Sequence, residues 1–427
     1  MTAQQPVAIC GGTRIPFCRN NSAYATIGNR QMGIKTLGAL VEQFSLSDEV
    51  LGEVAMGAVI KHSRDWNLAR EVALSSGLSP LTPGITLQRA CATSLDAAIL
   101  VGNKIALGQI DSGIAAGSDT TSDVPIVFGD AFASRLLATA RAKTLGQRLK
   151  AWKGFRPRHL APSFPGVAEP RTGKSMGDHC ELMAREWGIT REAQDELALA
   201  SHQRLAAAYD EGFLDDLVVP FRGLKRDGIL RPDSTLEKLS TLKPAFDKRS
   251  GHGTLTAGNS TSLTDGASAA LLASEAWAQE RDLPILAHLT ASRTAAVDFV
   301  AGEGLLMAPA IAVARLLEAT GLTFADFDFF EIHEAFAAQV LCTLAAWESK
   351  EFCKERLGLK KALGPIDRDK LNVKGSSLAA GHPFAATGTR ILPVAAKLVS
   401  QAGKARALIS VCTAGGMGVA AIVESAG

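Results

Sequence analysis

The sequence predicts an α/β fold in which sheet is covered by helices, and three observations support this prediction. Short apolar runs that end in glycine or turn residues alternate with helical patterns along the chain. One layout of small-residue turn, amphipathic helix, charged turn and buried strand occurs twice, starting at Cys91 and at Gly381. Between these copies, roughly over residues 124–250, the sequence becomes basic and rich in loops and helices. We therefore expect two related α/β halves with an inserted helical and loop domain.

The expected boundaries follow from these changes in pattern. The N-terminal half takes residues 1–123 and is completed by residues 251–284. The inserted loop domain takes residues 124–250, and the C-terminal half takes residues 285–427. Cys91 and His382 would then lie at equivalent helix N-termini and could face one cleft.

Each half has its own series of elements. In the N-terminal half the predicted strands are Val7–Cys10, Val54–Ile60 and Ile114–Gly117, and the predicted helices are Met32–Phe44, Leu68–Ser76 and Ser94–Leu107. In the C-terminal half the predicted strands are Ile285–Thr290, Phe327–His333, Ala407–Cys412 and Val419–Val423. The helices predicted there are Ala310–Ala319, Ala335–Trp347 and one opened by Gly381-His382-Pro383, with Pro383 at its first position.

The inserted region contains an unusual basic segment. Residues 141–158 carry seven Lys and Arg residues and no acid, and apolar residues recur there every three or four positions. This spacing predicts a basic amphipathic helix. Two more helices are predicted, Asp178–Trp187 and Arg191–Glu211, the second capped by Thr190.

Composition is that of an ordinary globular enzyme and argues against several classes of protein. Of the 427 residues, 47% are hydrophobic and 21% charged, and the net charge of +2 gives no overall attraction to nucleic acid. Seven cysteines, odd in number and unevenly spaced, argue against a disulfide framework, and no cluster has metal-ligand spacing. This spacing leads us to expect no metal site. Since the sequence shows neither a signal-peptide pattern nor a membrane span, we expect a cytoplasmic protein.

Three residues provide the groups needed for acyl transfer with carbon–carbon bond chemistry. A thiolate at a helix N-terminus is stabilised by free backbone N–H groups, so we expect Cys91 to be the nucleophile. His382 would accept its proton, and Cys412, which precedes a Gly-rich loop, would act as acid or base at carbon. Buried structural cysteines and a hydrogen-bonded structural histidine are the alternatives.

His333 begins the segment HEAFAAQ after a predicted strand. The second histidine of a His-Glu-x-x-His zinc site is replaced by Ala337, so we expect a hydrogen-bond donor instead of a metal ligand. Asp328, Glu331 and Glu334 lie close in sequence, and we expect them to fix its tautomer. Phosphate-loop and dinucleotide motifs are absent, which disfavours a nucleotide cofactor.

Together these segments resemble the thiolase family along essentially the whole chain. The matching motifs are CATS around Cys91, TAGNS at Thr256–Ser260, HEAF at His333–Phe336, GHP at Gly381–Pro383 and the Gly-Gly loop after Cys412. HEAF in place of the family's usual NEAF is most similar to the thiolase subunit of the fatty-acid β-oxidation complex of the trifunctional type. The resemblance implies the duplicated, five-layered α-β-α-β-α thiolase fold with an inserted domain.

The resemblance also implies an activity and roles for residues. A 3-ketoacyl-CoA would be cleaved with CoA to acetyl-CoA and a shortened acyl-CoA through an acyl-Cys91 intermediate, with no bound cofactor. His382 and His333 would form one oxyanion hole, and the N–H groups of Cys91 and Ala414 a second. The resemblance assigns contacts with the acyl or pantetheine part of the substrate to Met176, Thr261, Ala335 and Phe336.

Other functions and several partners stay open at this point. A biosynthetic acetyl-CoA acetyltransferase or a ketoacyl synthase could share the fold, although the second cysteine, Cys412, argues against a synthase. A non-catalytic acyl-CoA carrier is disfavoured by the intact Cys91, His382 and Cys412. Expected partners are a second copy of the chain in a homodimer and a hydratase/dehydrogenase subunit. The basic segment at 141–158 could bind CoA phosphates, a membrane surface or that subunit, or be a solvated face.

Overall fold

The computed structural model describes residues 5–426, and a mixed sheet lies at its centre. The strands within this range are β1 (Val7–Arg14), β2 (Cys18–Arg19), β3 (Glu53–Gly57), β4 (Gly84–Leu87), β5 (Ser112–Asp119), β6 (Val127–Phe128), β7 (Pro162–Ser163), β8 (Thr264–Ser274), β9 (Ala287–Ala296), β10 (Phe329–Ile332), β11 (Arg406–Thr413) and β12 (Met417–Glu424). The predicted N-terminal half begins, and the predicted C-terminal half ends, at residues that lie outside the described range.

Helices of very different lengths connect these strands. They are α1 (Asn29–Gln43), α2 (Leu68–Ala73), α3 (Thr93–Ala106), α4 (Asp130–Arg141), α5 (Leu145–Ala151), α6 (Met176–Glu186), α7 (Arg191–Asp210), α8 (Leu236–Ser240), α9 (Glu275–Gln279), α10 (Ala308–Thr320), α11 (Ala337–Glu348), α12 (Lys350–Glu355), α13 (Ser377–Ala380) and α14 (Thr387–Ala402). Most helices and strands predicted from the sequence occur within a few residues of their expected bounds. Thr190 caps α7 as expected, because its side chain accepts a hydrogen bond from the N–H of Ala193.

The central sheet consists of two parts with the same strand order and directions. In the N-terminal part the order is β4-β3-β5-β8-β1, parallel from β4 to β5 and antiparallel from β5 to β1. The C-terminal part has the order β10-β11-β12-β9, with the same change to antiparallel pairing after β11. Antiparallel pairing of β1 with β9, where Ala8 lies opposite His288, joins the two parts. The duplicated α/β fold expected from the sequence is therefore confirmed.

The helices α3 and α14 form a layer between the two parts of the sheet. Their apolar side chains share one buried cluster with strand residues such as Ala115, Ala270 and Ile409. Neighbouring strand residues face the other way, into one cluster with α1 and α2 and another with α10 and α11. Because successive side chains of a strand point to opposite faces, both faces of each part are covered by helices. The five layers are helix, sheet, helix, sheet and helix.

The continuous helix expected over residues 141–158 is wrong. The backbone becomes extended at Ala142, and a new helix, α5, starts behind the N-cap Thr144. Gly154 then takes a φ of +74°, a left-handed conformation that favours glycine and ends the helical run. The segment consequently holds the last residue of α4, all of α5 and a turn, and α4 and α5 together form a helical hairpin.

We call residues 126–160 the basic hairpin. Its aromatic side chains pack against one another, with Phe132 in edge-on contact with Phe128 and Trp152 at centroid distances of 4.7 Å and 5.9 Å. Its leucines remain outside this cluster, and Leu145 and Leu149 are 72% and 68% exposed. No helix in residues 5–426 is both long and apolar enough to cross a membrane.

Candidate active site

Cys91 lies in a 3-10 turn, Ala90–Ala92, between β4 and α3. Ala90 has a φ of +41°, a conformation that costs about 1–3 kcal/mol for a residue with a side chain. The hydroxyl of Thr93 holds the turn, because it donates to the carbonyl of Ala90 (2.7 Å) and accepts from the N–H of Arg89 (2.8 Å). The thiol is thus fixed, nearly buried, at the N-terminal end of a central helix.

His382 lies just before α14, at the equivalent place in the second half. Its backbone N–H donates to Thr264 Oγ1 at 2.8 Å, and its Nδ1 is 2.5 Å from Thr387 Oγ1. The preceding Gly381 has a φ of +102°, and a Cβ there would lie 2.9 Å from the Thr264 side chain. Glycine is therefore required for the imidazole to reach this position.

The expected start of the helix at Pro383 is wrong by one short turn. Residues Phe384–Ala386 form a 3-10 turn, and α14 begins after it. The buried carboxylate of Asp119 accepts the N–H of Ala385 at 2.8 Å and also binds the N–H groups of Val59 and Ile60. These bonds fix the turn beside His382 to the end of β5, which is why the helix cannot begin earlier.

Cys91, His333 and His382 come together although they are far apart in sequence. One ligand-type atom from each lies within 4.8 Å of the other two, and the two imidazole centroids are 4.1 Å apart. Within residues 5–426, Nε2 of each histidine has no hydrogen-bond partner. Both nitrogens are therefore available to a ligand held beside the thiol.

Cys412 lies near the end of β11, beside this group. Its thiol is close enough to Cys91 that a charge on Cys91 contributes to raising the pKa of Cys412, after the larger effect of burial. The chain turns back at Gly415 and Gly416, whose φ angles are +75° and +70°. This turn directs the backbone N–H of Ala414 at the sulfur of Cys91.

Burial dominates the ionisation of the group. It raises the pKa of Cys91 to about 12, even though the hydrogen bond from Ala414 acts in the opposite direction. It lowers the pKa of His382 to about 3, with Arg390 as a second cause, and that of His333 well below its usual range. These pKa shifts favour a neutral thiol facing two neutral imidazoles in the unliganded protein over the thiolate that the helix N-terminus led us to expect.

The tautomer of His333 does not depend on the three neighbouring acids. In the described part of the chain, Asp328, Glu331 and Glu334 make no hydrogen bond to the ring, so that expectation is wrong. Asp328 and Glu334 accept bonds from other residues, while the buried carboxylate of Glu331 has no partner in this range. The Nδ1 atom of His333 instead lies 2.7 Å from the hydroxyl of Ser377.

The residues expected to contact substrate lie close together. The N–H of Thr261 donates to the carbonyl of Ala335 at 3.1 Å, and its hydroxyl donates to the same carbonyl. Phe336 packs edge-on against Phe246, with centroids 5.8 Å apart. Met176 packs against the buried hydrophobic cluster that contains Phe336. Contact of these residues with substrate stays a prediction.

Sequence reasoning missed several polar groups that support the site. Arg390 and Ser377 lie behind His333, and Thr387 lies behind His382. Glu169, from the inserted region, accepts the N–H of Gly415 at 2.8 Å. The signal that could have identified Arg390 is its place directly before the apolar run ILPVAA of α14, because a charged side chain that becomes buried there needs a polar partner.

Comparisons with known proteins identify the family of the chain. A thiolase N-terminal domain model matches residues 7–276, and a thiolase C-terminal domain model matches residues 283–425. The 3-ketoacyl-CoA thiolase of Klebsiella pneumoniae (strain 342) is 40% identical over 425 residues, which cover 98% of this chain and 97% of that protein. That of Pectobacterium carotovorum subsp. carotovorum (strain PC1) is 41% identical over 424 residues, or 98% and 96% of the two chains.

Solved structures give the same result. The Bacillus anthracis acetyl-CoA acetyltransferase superposes with a TM-score of 0.82 at 29% identity and covers 100% of both chains. The human mitochondrial 3-ketoacyl-CoA thiolase in complex with CoA superposes with a TM-score of 0.80 at 26% identity, covering 99% of this chain and 98% of that one. Over both of its α/β halves, the chain belongs to the thiolase family.

Proposed function

We propose that the protein is a 3-ketoacyl-CoA thiolase, which cleaves 3-ketoacyl-CoA with CoA to acetyl-CoA and a shortened acyl-CoA. The observation that supports this most directly is the meeting of Cys91, His333 and His382 within 4.8 Å, with Cys412 beside them. Relatives about 40% identical carry this name, and a structural relative binds CoA, which supports CoA as the co-substrate.

In the first step, the Cys91 sulfur attacks the 3-keto carbon while its proton passes to His382. For this, His382 needs a free lone pair on Nε2, so its Nδ1–H must donate to Thr387 Oγ1. The N–H of Ala414 is directed at the attacking sulfur, and so lies next to the oxygen that becomes negative. Losing one such donor typically slows a reaction about 10²–10³-fold.

In the second step, the bond between C2 and C3 breaks, leaving the acyl group on Cys91 and the enolate of acetyl-CoA. Cys412 supplies the proton to the enolate carbon. The thioester oxygen of the enolate would be stabilised by donors from His333 and the now protonated His382. Incoming CoA gives its thiol proton to the Cys412 thiolate and attacks the acyl-Cys91 thioester. Cys91 leaves as a thiolate and takes back the proton held by His382, which releases the shortened acyl-CoA and restores the starting enzyme.

Two variants test the division of roles between the cysteines. Cys91→Ala should form no acyl-enzyme, because the nucleophile is absent. Cys412→Ala should still be acylated by a simple acyl-CoA but should lose carbon–carbon cleavage, because the enolate is no longer protonated. Mass spectrometry of the intact protein and of its peptides measures both; an acyl group found on a residue other than Cys91 refutes the assignment.

A second candidate is a short-chain acetyl-CoA acetyltransferase, favoured by the TM-score of 0.82 to the Bacillus anthracis enzyme. The higher identity to 3-ketoacyl-CoA thiolases supports the first candidate. Turnover of C4 and C16 3-ketoacyl-CoA with free CoA separates them. A thiolase of β-oxidation should cleave the long substrate at least as well as the short one, whereas an acetyltransferase should use only the short one.

We also propose a homodimer, formed through the edge of the sheet at β4. Unpaired strand edges are surfaces for pairing with another chain. Ile85 on this strand is 38% exposed and the nearby Leu81 is 76% exposed, so apolar surface accompanies the free edge. Light scattering should give twice the chain mass for the wild type and the mass of one chain for Ile85→Lys.

For the location we propose the cytoplasm, which fits the seven free cysteines.

For the basic hairpin we propose docking on an anionic membrane surface. Helices that bind there combine exposed leucine and aromatic residues with Lys and Arg. Leu145 and Leu149 are largely exposed, and the residues from 141 to 158 carry only positive charges. A hydratase/dehydrogenase subunit is the competing occupant. Co-sedimentation with vesicles and binding of that subunit distinguish the two occupants.

A further inference from the structure

We infer that Ser377 and Arg390 are positioning residues that set the tautomer of His333, so that an Nε2–H donor faces the reacting group. The catalytic consequence rests on the proposed thiolase function. The tautomer itself does not, because it can be observed in the resting protein.

The chain of hydrogen bonds begins at Arg390, a buried residue on α14. Its Nη2 atom lies 3.0 Å from the hydroxyl oxygen of Ser376 and 3.0 Å from that of Ser377. A guanidinium group has only donors, so both hydroxyl oxygens must accept. The direction of the bond between Arg390 and Ser377 is therefore fixed.

The bond from Arg390 limits how the hydroxyl of Ser377 can bind His333. Its side chain is fully buried, and within residues 5–426 its hydroxyl contacts Arg390 and, at 2.7 Å, His333 Nδ1. If Nδ1 carried the proton and donated to Ser377, the hydroxyl hydrogen would be left without an acceptor in the interior. Buried donors without partners are rare because they lose their bonds to water. The hydroxyl of Ser377 consequently donates to Nδ1.

A neutral His333 must then carry its single proton on Nε2. The ring is fully buried, and burial with the neighbouring His382 and Arg390 holds its pKa well below the usual range, so the neutral form is the resting one. Nε2 has no partner in the described part of the chain and belongs to the group gathered around Cys91. The donor thus faces the place where the substrate oxygen becomes negative.

The two histidines are therefore not interchangeable. The Nδ1 atom of His333 accepts from the Ser377 hydroxyl, whose orientation is set by Arg390. His333 is therefore a fixed hydrogen-bond donor through its Nε2. His382 has its Nδ1 beside Thr387, whose hydroxyl has no arginine behind it in the hydrogen bonds of the described residues. Its bond to Thr387 can therefore run in either direction, and the tautomer with the proton on Nδ1 leaves Nε2 with the lone pair that accepts the Cys91 proton. One imidazole binds an oxyanion and the other moves a proton.

Nitrogen NMR of protein labelled with ¹⁵N-histidine tests the inference directly. The ¹⁵N shift distinguishes a protonated from an unprotonated ring nitrogen, and His333→Gln identifies the signals of this residue. We expect Nε2 protonated and Nδ1 unprotonated in the wild type. In Ser377→Ala both tautomers should be present, and Ser377→Thr, which keeps a hydroxyl, should restore the wild-type pattern.

Kinetics provide the second measurement and a matched control. Ser377→Ala should lower kcat in proportion to the fraction of His333 that moves its proton to Nδ1, with the about 10²–10³-fold effect of a fully lost oxyanion donor as the upper limit, and with little change in KM. Ser376→Ala is the control, because Ser376 accepts from the same Arg390 atom but, among the hydrogen bonds of residues 5–426, makes none to His333. It should keep the wild-type tautomer and nearly all of the activity.

The outcomes are distinct from those of the proposed function. A wild-type His333 protonated at Nδ1 overturns the inference, whether or not any variant folds. Equal losses in Ser376→Ala and Ser377→Ala, with an unchanged tautomer, also overturn it, because the serines would then act only through packing. If the wild type cleaves no 3-ketoacyl-CoA, the proposed function fails, and the NMR result alone decides the tautomer.

Discussion

Two opposing electrostatic effects act on the sulfur of Cys91. The N-terminus of α3 and the N–H of Ala414 favour a thiolate, whereas removal from water favours the thiol. Burial is the larger effect, because the side chain lies in the interior between the two halves of the sheet. His382 is kept neutral for the same reason. These pKa shifts favour a proposed mechanism in which the proton leaves Cys91 as the sulfur attacks, over one that starts from a thiolate–imidazolium pair.

This balance predicts how alkylation of Cys91 depends on pH. Only the thiolate reacts, and with a pKa raised to about 12 the thiolate fraction grows about tenfold per pH unit throughout the range from about 6 to 9. The rate of iodoacetamide labelling at Cys91, followed by peptide mass spectrometry, should therefore rise steadily without levelling off. Labelling of Cys91→Ala under the same conditions gives the contribution of the other cysteines. A plateau at neutral pH would mean that the resting group is an ion pair.

Individual residues of the site differ in how far they could be predicted. Cys91, His382 and Cys412 were identifiable because their reactive side chains lie in Gly- and Ala-rich segments with few other polar groups. The support of His333 was predicted wrongly, because carboxylates adjacent in sequence were chosen over Ser377, which is 44 positions away. This hydrogen bond joins α13 to the residue that follows β10, and the sequence pattern does not show that these two segments lie together.

Among the elements, α3 and α14 determine the distance between Cys91, the proposed nucleophile, and His382, its proposed base. They pack closely because small residues meet where the helices begin. A Cβ on Gly388 would lie 2.1 Å from the backbone nitrogen of Leu95 at the start of α3. A Cβ on Gly117 would lie 2.0 Å from the carbonyl of Ala385, next to His382. Glycine is thus required at these two positions by the close contact of the elements.

Gly388→Ala should therefore affect both stability and catalysis. Backbone atoms would have to move apart, and overpacking of this kind typically costs about 1–3 kcal/mol. Because α3 and α14 carry the segments with Cys91 and His382, kcat should also fall. Urea denaturation and steady-state kinetics measure the two effects.

The control for this substitution is Gly146→Ala. Gly146 lies in α5, where an added Cβ would meet no atom within 4 Å. Alanine there should be neutral or stabilise by about 0.5–1 kcal/mol, with kcat unchanged. Full stability and activity of Gly388→Ala would contradict the close approach of the two central helices.

Elements with one clear period were predicted more accurately than the basic hairpin. Apolar spacing over residues 141–158 fits one helix, yet Thr144 starts a new one and Gly154 ends it. Trp152 and Phe155 then pack with each other and with Phe132, a contact across the hairpin that helical spacing alone cannot reveal. Local capping and a non-local aromatic cluster outweighed the periodicity.

At the scale of the whole molecule, the duplication makes a site that neither half contains alone. Cys91 comes from the N-terminal half, whereas His333, His382 and Cys412 come from the C-terminal half. The inserted region contributes Glu169, which binds the N–H of Gly415 in the Gly-rich loop. The basic hairpin belongs to the same inserted region, so attachment at the hairpin would hold the molecule at a surface without using the catalytic groups.

Membrane docking by the basic hairpin predicts dependence on lipid charge and on salt. Wild-type protein should co-sediment with vesicles that contain phosphatidylserine but not with phosphatidylcholine alone, and less in high salt, because salt screens the attraction. The triple substitution Lys150→Gln, Lys153→Gln and Arg156→Gln should weaken binding by about 1 kcal/mol per residue. Leu145→Gln with Leu149→Gln should weaken it independently of salt, because apolar contact is lost.

A variant with the same loss of charge elsewhere makes this test specific. Lys354→Gln, Lys360→Gln and Lys361→Gln remove three exposed lysines outside the hairpin and should leave vesicle binding unchanged. Equal losses in the two triple variants would mean that only the total charge matters, and docking by the hairpin would be rejected. If the wild type ignores vesicles but binds a hydratase/dehydrogenase subunit through these residues, the hairpin is a protein interface instead. Activity toward soluble 3-ketoacyl-CoA should be the same in all these variants, because the hairpin contributes no group to the site around Cys91.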